Sequence, residues 1–136
     1  MPQGIVAIVD DDPHICQALG FWLKLNDLRA SHHQSAESLL QIVRQEANHI
    51  VLSADEFKLT NNILFGAVLD FNLPGINGIE LAVILRKMAP FLPITIITAL
   101  NEEQLERHGE LPSGIRCLKK PFDLDTLEDA LFPFTL

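Results

Sequence analysis

Apolar positions along this chain follow two alternating rhythms. Unbroken runs rich in Ile and Val recur as "GIVAIV" (Gly4–Val9), "ILFGAVL" (Ile63–Leu69), "PITIIT" (Pro93–Thr98) and, more mixed, "GIRCLK" (Gly114–Lys119). Runs of this length and composition suit strands buried on both faces. "LRAS" (Leu28–Ser31) reads as a shorter, edge-like strand. Between the runs, apolar residues recur every three or four positions. One helix is predicted from Pro13 to about Leu25, with Asp12 as its N-cap and Ile15, Ala18, Leu19 and Trp22 on one face. Ser35 caps a second, running through Leu39, Leu40 and Val43. Gly78 opens a third, whose Leu81, Ile84, Leu85 and Met88 form an apolar stripe. Asn101, with Glu102 and Glu103, starts a fourth that ends near Gly109. Asp123 caps a fifth, with Leu124, Leu127 and Leu131 inward and Pro133 as its stop. Five strands alternating with five helices predict an α/β fold, a doubly wound five-stranded parallel sheet.

In such a sheet, ligands gather beyond the carboxyl ends of the strands. The first strand delivers Asp10 and Asp11 there, the third Asp70, the fourth Thr98 followed by Ala99, and the fifth Lys120 followed by Pro121. Three carboxylates held together repel one another unless a cation neutralises them. Ligands that are all oxygen favour a hard divalent ion, Mg²⁺ above all where phosphate is involved. One carboxylate can then act as a nucleophile toward phosphorus, with a Lys and a hydroxyl meeting the charge on the phosphoryl oxygens. Taken singly, "DDDP" is an ordinary helix cap and "KKP" an ordinary solvated pair before a turn. Their joint placement at four strand ends is what carries the chemistry.

Composition narrows the rest. The 136 residues make one domain, 1–136, and a 48% apolar content supports a packed core. The longest apolar run falls far short of the ~20 residues needed to cross a bilayer. "MPQGIVAIVDDD" lacks a basic leader, so no secretion signal and no membrane contact are expected, and the address is read as cytoplasmic. Cys16 and Cys117 form neither a metal-spaced cluster nor a disulfide framework and read as small buried hydrophobes. A formal charge of −8 argues against direct nucleic-acid contact. His32 and His33, neighbours on a strand, point to opposite faces and make a poor shared metal site. His14, His49 and His108 read as surface residues, and Trp22 as packing.

"VDDDP", "VLDFNLPGINGIEL", "IIT" followed by Ala, and "LKKPF" resemble the signature blocks of the response-regulator receiver domain of two-component signalling. The resemblance runs from Gly4 to about Phe132. It implies a flavodoxin-like receiver fold in which Asp70 accepts a phosphoryl group from a histidine kinase or histidine phosphotransfer protein. It implies Mg²⁺ held by Asp11, Asp70 and the backbone carbonyl of Asn72, with Asp10 assisting through water. Thr98 and Lys120 would each meet a phosphoryl oxygen, and a cis bond would precede Pro121. The only chemistry implied is the domain's own phosphorylation and dephosphorylation, so it is a switch and not a turnover enzyme. Its output would pass to a downstream protein through the face of the fourth helix, fifth strand and fifth helix. With no effector module in sequence, a single-domain receiver is expected, an excised receiver of a larger regulator being the close variant. Two other classes stay open: a phosphorylation-independent interaction module on the same fold, and a Mg²⁺-dependent phosphohydrolase. The second is weakened by Asn72, which stands where such enzymes carry a general acid and cannot protonate a leaving group.

The sequence departs from the family pattern in two places. Asp55 lies 44 positions after Asp11, near the family's usual separation, whereas Asp70 lies 59 after it. Downstream context decides for Asp70. Only Asp70 precedes a Pro-Gly turn and an amphipathic helix, and it lies 28 positions before Thr98 and 50 before Lys120. An insertion is therefore expected at about 48–62, between the second helix and third strand. It is read as a tolerated surface loop that either lengthens that helix or adds a strand at "HIVLS", with a partner-docking element as the alternative. Second, Cys117 stands three before Lys120, where many receivers carry an aromatic residue, and the chain has no Tyr. Phe122 or Leu100 is expected to fill that space, and Lys119 to face outward.

Overall fold

In the computed structural model, which describes residues 4–53, 62–120, 123, 125 and 126, five parallel strands build the central sheet. The chain runs β1 (Ile5–Val9), α1 (Pro13–Leu25), β2 (Arg29–His33), α2 (Ala36–Leu40), β3 (Val43–Glu46), β4 (His49–Leu52), β5 (Leu64–Asp70), α3 (Gly78–Met88), β6 (Ile94–Thr98), α4 (Glu102–Glu106) and β7 (Ile115–Lys119). The sheet order is β2-β1-β5-β6-β7. The order therefore reverses between β1 and β5, the crevice where doubly wound sheets bind ligands.

Strand alternation divides the core. Ile5, Ala7 and Val9 of β1 face one side with Ala67, Leu69, Ile94 and Ile96, packed under Leu81, Ala82 and Leu85 of α3. Val6 and Ile8 face the other with Val68, Ile97 and Leu118, against Leu19, Trp22 and Leu23 of α1. Burying each such Leu or Ile stabilises the fold by about 1.5–3 kcal/mol. Because β1 is sequestered on both faces, its five residues had to be apolar throughout. Ala18, expected on the inner face of α1, is exposed, and Leu23 occupies the inner position instead.

The second helix stops earlier than its periodicity suggests. Ser35 caps it through the Ser38 amide (3.1 Å), but α2 ends at Leu40. Val43 pairs with Leu52 in an antiparallel β3–β4 hairpin, not with Leu39 and Leu40 on a helix face. Ser53 N–H closes the hairpin onto Ile42 O at 2.8 Å, and Ile50 and Leu52 are sealed in the core. β4 falls on the "HIVLS" segment, and no lengthened helix forms. Residues 54–61 of the expected insertion, Asp55 among them, lie outside the described residues.

α4 is also shorter than expected, ending at Glu106, although Asn101 caps it as predicted. Four helices lie among the described residues. Of the fifth, Asp123 is seen accepting the Thr126 amide at 2.8 Å and the Thr126 hydroxyl at 2.7 Å, as an N-cap does. Pro121, Phe122, Leu124, Leu127, Leu131 and Pro133 lie outside the described residues. Cys16 and Cys117 are half-buried, less enclosed than their hydrophobic reading implies. His32 is exposed and His33 buried between the Ser31 and Ser38 hydroxyls, on opposite faces as strand alternation requires. Among the described residues, no helix is long and apolar enough to cross a membrane.

Candidate functional site

The three aspartates after β1 take three different positions. Asp10 prolongs the strand, its N–H donating to His33 O at 3.0 Å, and its side chain is buried. Its Oδ1 accepts the Asp12 amide at 2.9 Å. Asp12 turns away to cap α1, accepting the His14 amide at 2.9 Å. Asp11, between them, projects an exposed carboxylate. The Cys16 thiol donates to Asp10 O at 3.3 Å, tying the first turn of α1 to the strand end. Burial and the neighbouring carboxylates of Asp10, Asp12 and Asp11 push that thiol's pKa up.

Asp70 ends β5, buried like Asp10. Its position is set by the loop between β5 and α3. Phe71 N–H donates to Ile97 O at 2.9 Å and Gly78 N–H to Phe71 O at 3.0 Å, which folds α3 back against the strand end. A Cβ on Gly78 would lie 2.6 Å from Asp70 O, so this approach requires glycine. Gly75 takes the left-handed turn of the Pro-Gly pair, at φ +74°. Asn72 N–H donates to Asp70 Oδ1 at 3.2 Å, fixing the carboxylate's rotation. Asn77 and Glu80 form a reciprocal capping box at the start of α3. The same loop is held from outside its own segment by Glu37 of α2, whose Oε2 accepts the Ile76 amide at 3.4 Å. That carboxylate occupies the space a Gly75 side chain would need, with Oε2 2.5 Å from the position of an added Cβ. Sequence reasoning missed Glu37 and Asn77. The Asn77–Glu80 spacing was a readable capping signal, but no local signal links Glu37 to a loop 39 positions away.

β6 and β7 complete the set. Thr98 is buried, its Oγ1 accepting the Leu100 amide at 3.0 Å and its carbonyl the Lys120 amide at 2.8 Å. Lys120 Nζ lies 3.6 Å from Asp70 Oδ1 and 3.8 Å from Asp10 Oδ2. Lys119 faces solvent. Leu100 and Cys117 both pack, half-buried, against the α3 side of the core.

Oxygens of Asp10, Asp11 and Asp70 all lie within 4.8 Å of one another. Among the described residues, one ammonium faces three carboxylates, which leaves the cluster short of positive charge. Asp10 registers the shortage: its pKa is pushed up to about 6, chiefly by burial and further by the Asp70 charge, against the pull of the Asp12 amide and Lys120. Its Oδ2 is buried without a hydrogen bond, the Lys120 ammonium standing 3.8 Å away, an expensive state that a closer cation would relieve. An all-oxygen donor set with a charge deficit and an unsatisfied buried oxygen fits a hard divalent cation.

A family model of the response regulator receiver domain matches residues 65–132, a span that includes Asp70, Thr98 and Lys120. The chain belongs to this family. Curated relatives align over nearly all of it. The C4-dicarboxylate transport transcriptional regulatory protein DctD of Pseudomonas aeruginosa is 28% identical over 95% of this chain and 24% of its own length. The transcriptional regulatory protein FixJ of Rhizobium meliloti is 25% identical over 96% of this chain and 56% of its own length. The DNA-binding transcriptional regulator NtrC of Escherichia coli is 26% identical over 92% of this chain and 23% of its own length. The chain thus spans between about a quarter and just over half of these curated relatives. Among solved structures, the BeF3-activated DrrB receiver domain superposes with a TM-score of 0.74 at 21% identity, covering 98% of both chains. The Vibrio cholerae chemotaxis protein CheY4 gives 0.71 at 20% identity, over 98% of this chain and 99% of its own. These two likenesses establish the fold, flavodoxin-like.

Proposed function

We propose that this receiver is a phosphoacceptor switch whose acceptor is Asp70. The reading is carried by one arrangement: a buried carboxylate at the switch-point strand end, 3.6 Å from an ammonium, with two further carboxylates inside 4.8 Å. An Asp70 oxygen attacks phosphorus in a phosphohistidine of a histidine kinase or phosphotransfer protein. The P–N bond breaks, the imidazole leaves with the electron pair and takes a proton from water, and an aspartyl phosphate remains. Asp11, Asp70 and the Asn72 carbonyl would hold Mg²⁺, with Asp10 assisting through water. Bound there, the metal would neutralise charge on the phosphoryl oxygens. Lys120 and Thr98 stand at neighbouring strand ends to meet the other phosphoryl oxygens.

Because Thr98 and Lys120 are joined through the Lys120 amide, a pull on either moves the ends of β6 and β7 together. The readout then reaches a downstream protein through the face of α4, β7 and the fifth helix, in a cytoplasmic setting. The test is labelling. The purified chain, given Mg²⁺ and a small acyl or amido phosphate, should acquire one acid-stable, base-labile phosphoryl group that mass spectrometry maps to Asp70. Asp70→Asn should abolish it and Asp55→Asn should not. Loss of labelling in Asp55→Asn with retention in Asp70→Asn would overturn the assignment.

A further inference from the structure

The end of the sheet opposite the aspartates carries an apolar face. Phe91 is 85% exposed, Ile63 42% and Phe65 36%. With Leu64, Leu92 and Pro93 they line a groove of about 410 Å³, bordered by Asn48 of the hairpin turn and His49 at the start of β4. Among the described residues, no Asp, Glu, Lys or Arg lines it. The face is built, not frayed. The β1–β5 register slips between Ile5 and Val6, so Leu64 and Gly66 pair while Phe65 is passed over. Its ring lies across Gly4, where an added Cβ would sit 2.5 Å from Phe65 Cγ. Phe91 is flanked by Pro90 and, past Leu92, by Pro93, each fixing its own φ. Arg86 Nη1 reaches back from α3 to donate to Pro90 O at 3.0 Å and Leu92 O at 2.7 Å. An aromatic side chain is therefore held out in solvent on a loop with little freedom left to lose on binding.

We propose that this face binds a second copy of the chain about a two-fold axis, each Phe91 entering the other copy's groove. Two observations select that occupant. The projecting ring and the groove share one rim, the self-complementarity an isologous contact needs. Charge points the same way. The chain carries −8, and Asp10, Asp11 and Asp70 cluster beyond the far ends of the strands. The five residues of β1 separate Gly4 from Asp10, about 17 Å of strand and roughly two Debye lengths at physiological salt. Two copies meeting on the neutral face keep both acidic ends outermost.

Sedimentation equilibrium of the purified chain without phosphodonor, from micromolar to millimolar, tests this. A concentration-dependent dimer is expected. Phe91→Ser should weaken it about tenfold or more, as loss of a central aromatic anchor does. Phe21→Ser, the same change at an exposed position on α1, should leave it intact. Phe91 packs little, so the variant should keep the wild-type melting temperature, which separates lost contact from lost fold. A wild-type chain monomeric at millimolar concentration overturns the proposal. So does a Phe91→Ser dimer of wild-type affinity, or a dimer abolished by Phe21→Ser.

Discussion

Asp10 and Asp11 are adjacent and chemically identical, yet only Asp10 is buried. The difference comes from the sheet, which takes the Asp10 amide into pairing with His33 O and turns the next side chain the other way. Burial then sets a pH dependence. The Asp10 pKa in the folded, metal-free chain is pushed up to about 6, above the ordinary carboxylate value of about 3.9. The folded state therefore holds an extra proton between those values. The resulting stabilisation is fully present below the lower value and is lost as pH rises through about 6. Thermal unfolding without metal should show this contribution falling between about pH 4 and pH 6, and Asp10→Asn should flatten it. Protonation of the same group opposes cation binding, so Mg²⁺ affinity measured by calorimetry should fall as pH drops below about 6 and do so less in Asp10→Asn. At this scale the strand-end residues Asp10, Asp11, Asp70, Thr98 and Lys120 were legible, because a strand's last residue is marked by where its apolar run stops. The burial of one aspartate and the reach of Glu37 were not, since both depend on what lies across the sheet.

Helix starts were the most legible elements. Asp12, Ser35, Asn101 and Asp123 each satisfy a local amide, a chemistry written within three residues. The β3–β4 hairpin was illegible for the opposite reason. Leu39, Leu40 and Val43 fit helical spacing, but Val43 gains more by pairing with Leu52 and closing the core over Ile50. A short helix owes its stability to packing, so tertiary contact overrides a weak periodicity. The hairpin should therefore contribute to folding as core, not as ornament. Ile50→Ala is expected to cost about 2–5 kcal/mol in urea unfolding. Arg44→Ala should cost under about 1 kcal/mol, because its ion pair with Glu46 is solvated. Equal, small effects from both would place the hairpin outside the cooperative unit.

Among the described residues the molecule is polar in the literal sense: carboxylates at one end of the parallel strands, an apolar face without charged side chains at the other. Parallel strands make this possible, because every strand presents the same end to the same side. The two ends should act independently in the single-copy state. Phe91→Ser is expected to be phosphorylated by a small phosphodonor at the wild-type rate in dilute solution, followed by mass spectrometry; a severalfold change would show the ends to be coupled. The sequence by itself determined the α/β class and the gathering of Asp10, Asp11, Asp70, Thr98 and Lys120 at the carboxyl ends, because both rest on periodicity; its preference for Asp70 over Asp55 as the proposed acceptor rests on a turn a few residues long. Only the tertiary structure decided which aspartate is sealed from water, how the segment after α2 pairs, and that Phe65 and Phe91 share a face. Those outcomes depend on which distant segments become neighbours, and burial and charge repulsion act between neighbours in space, which the order of residues alone does not name.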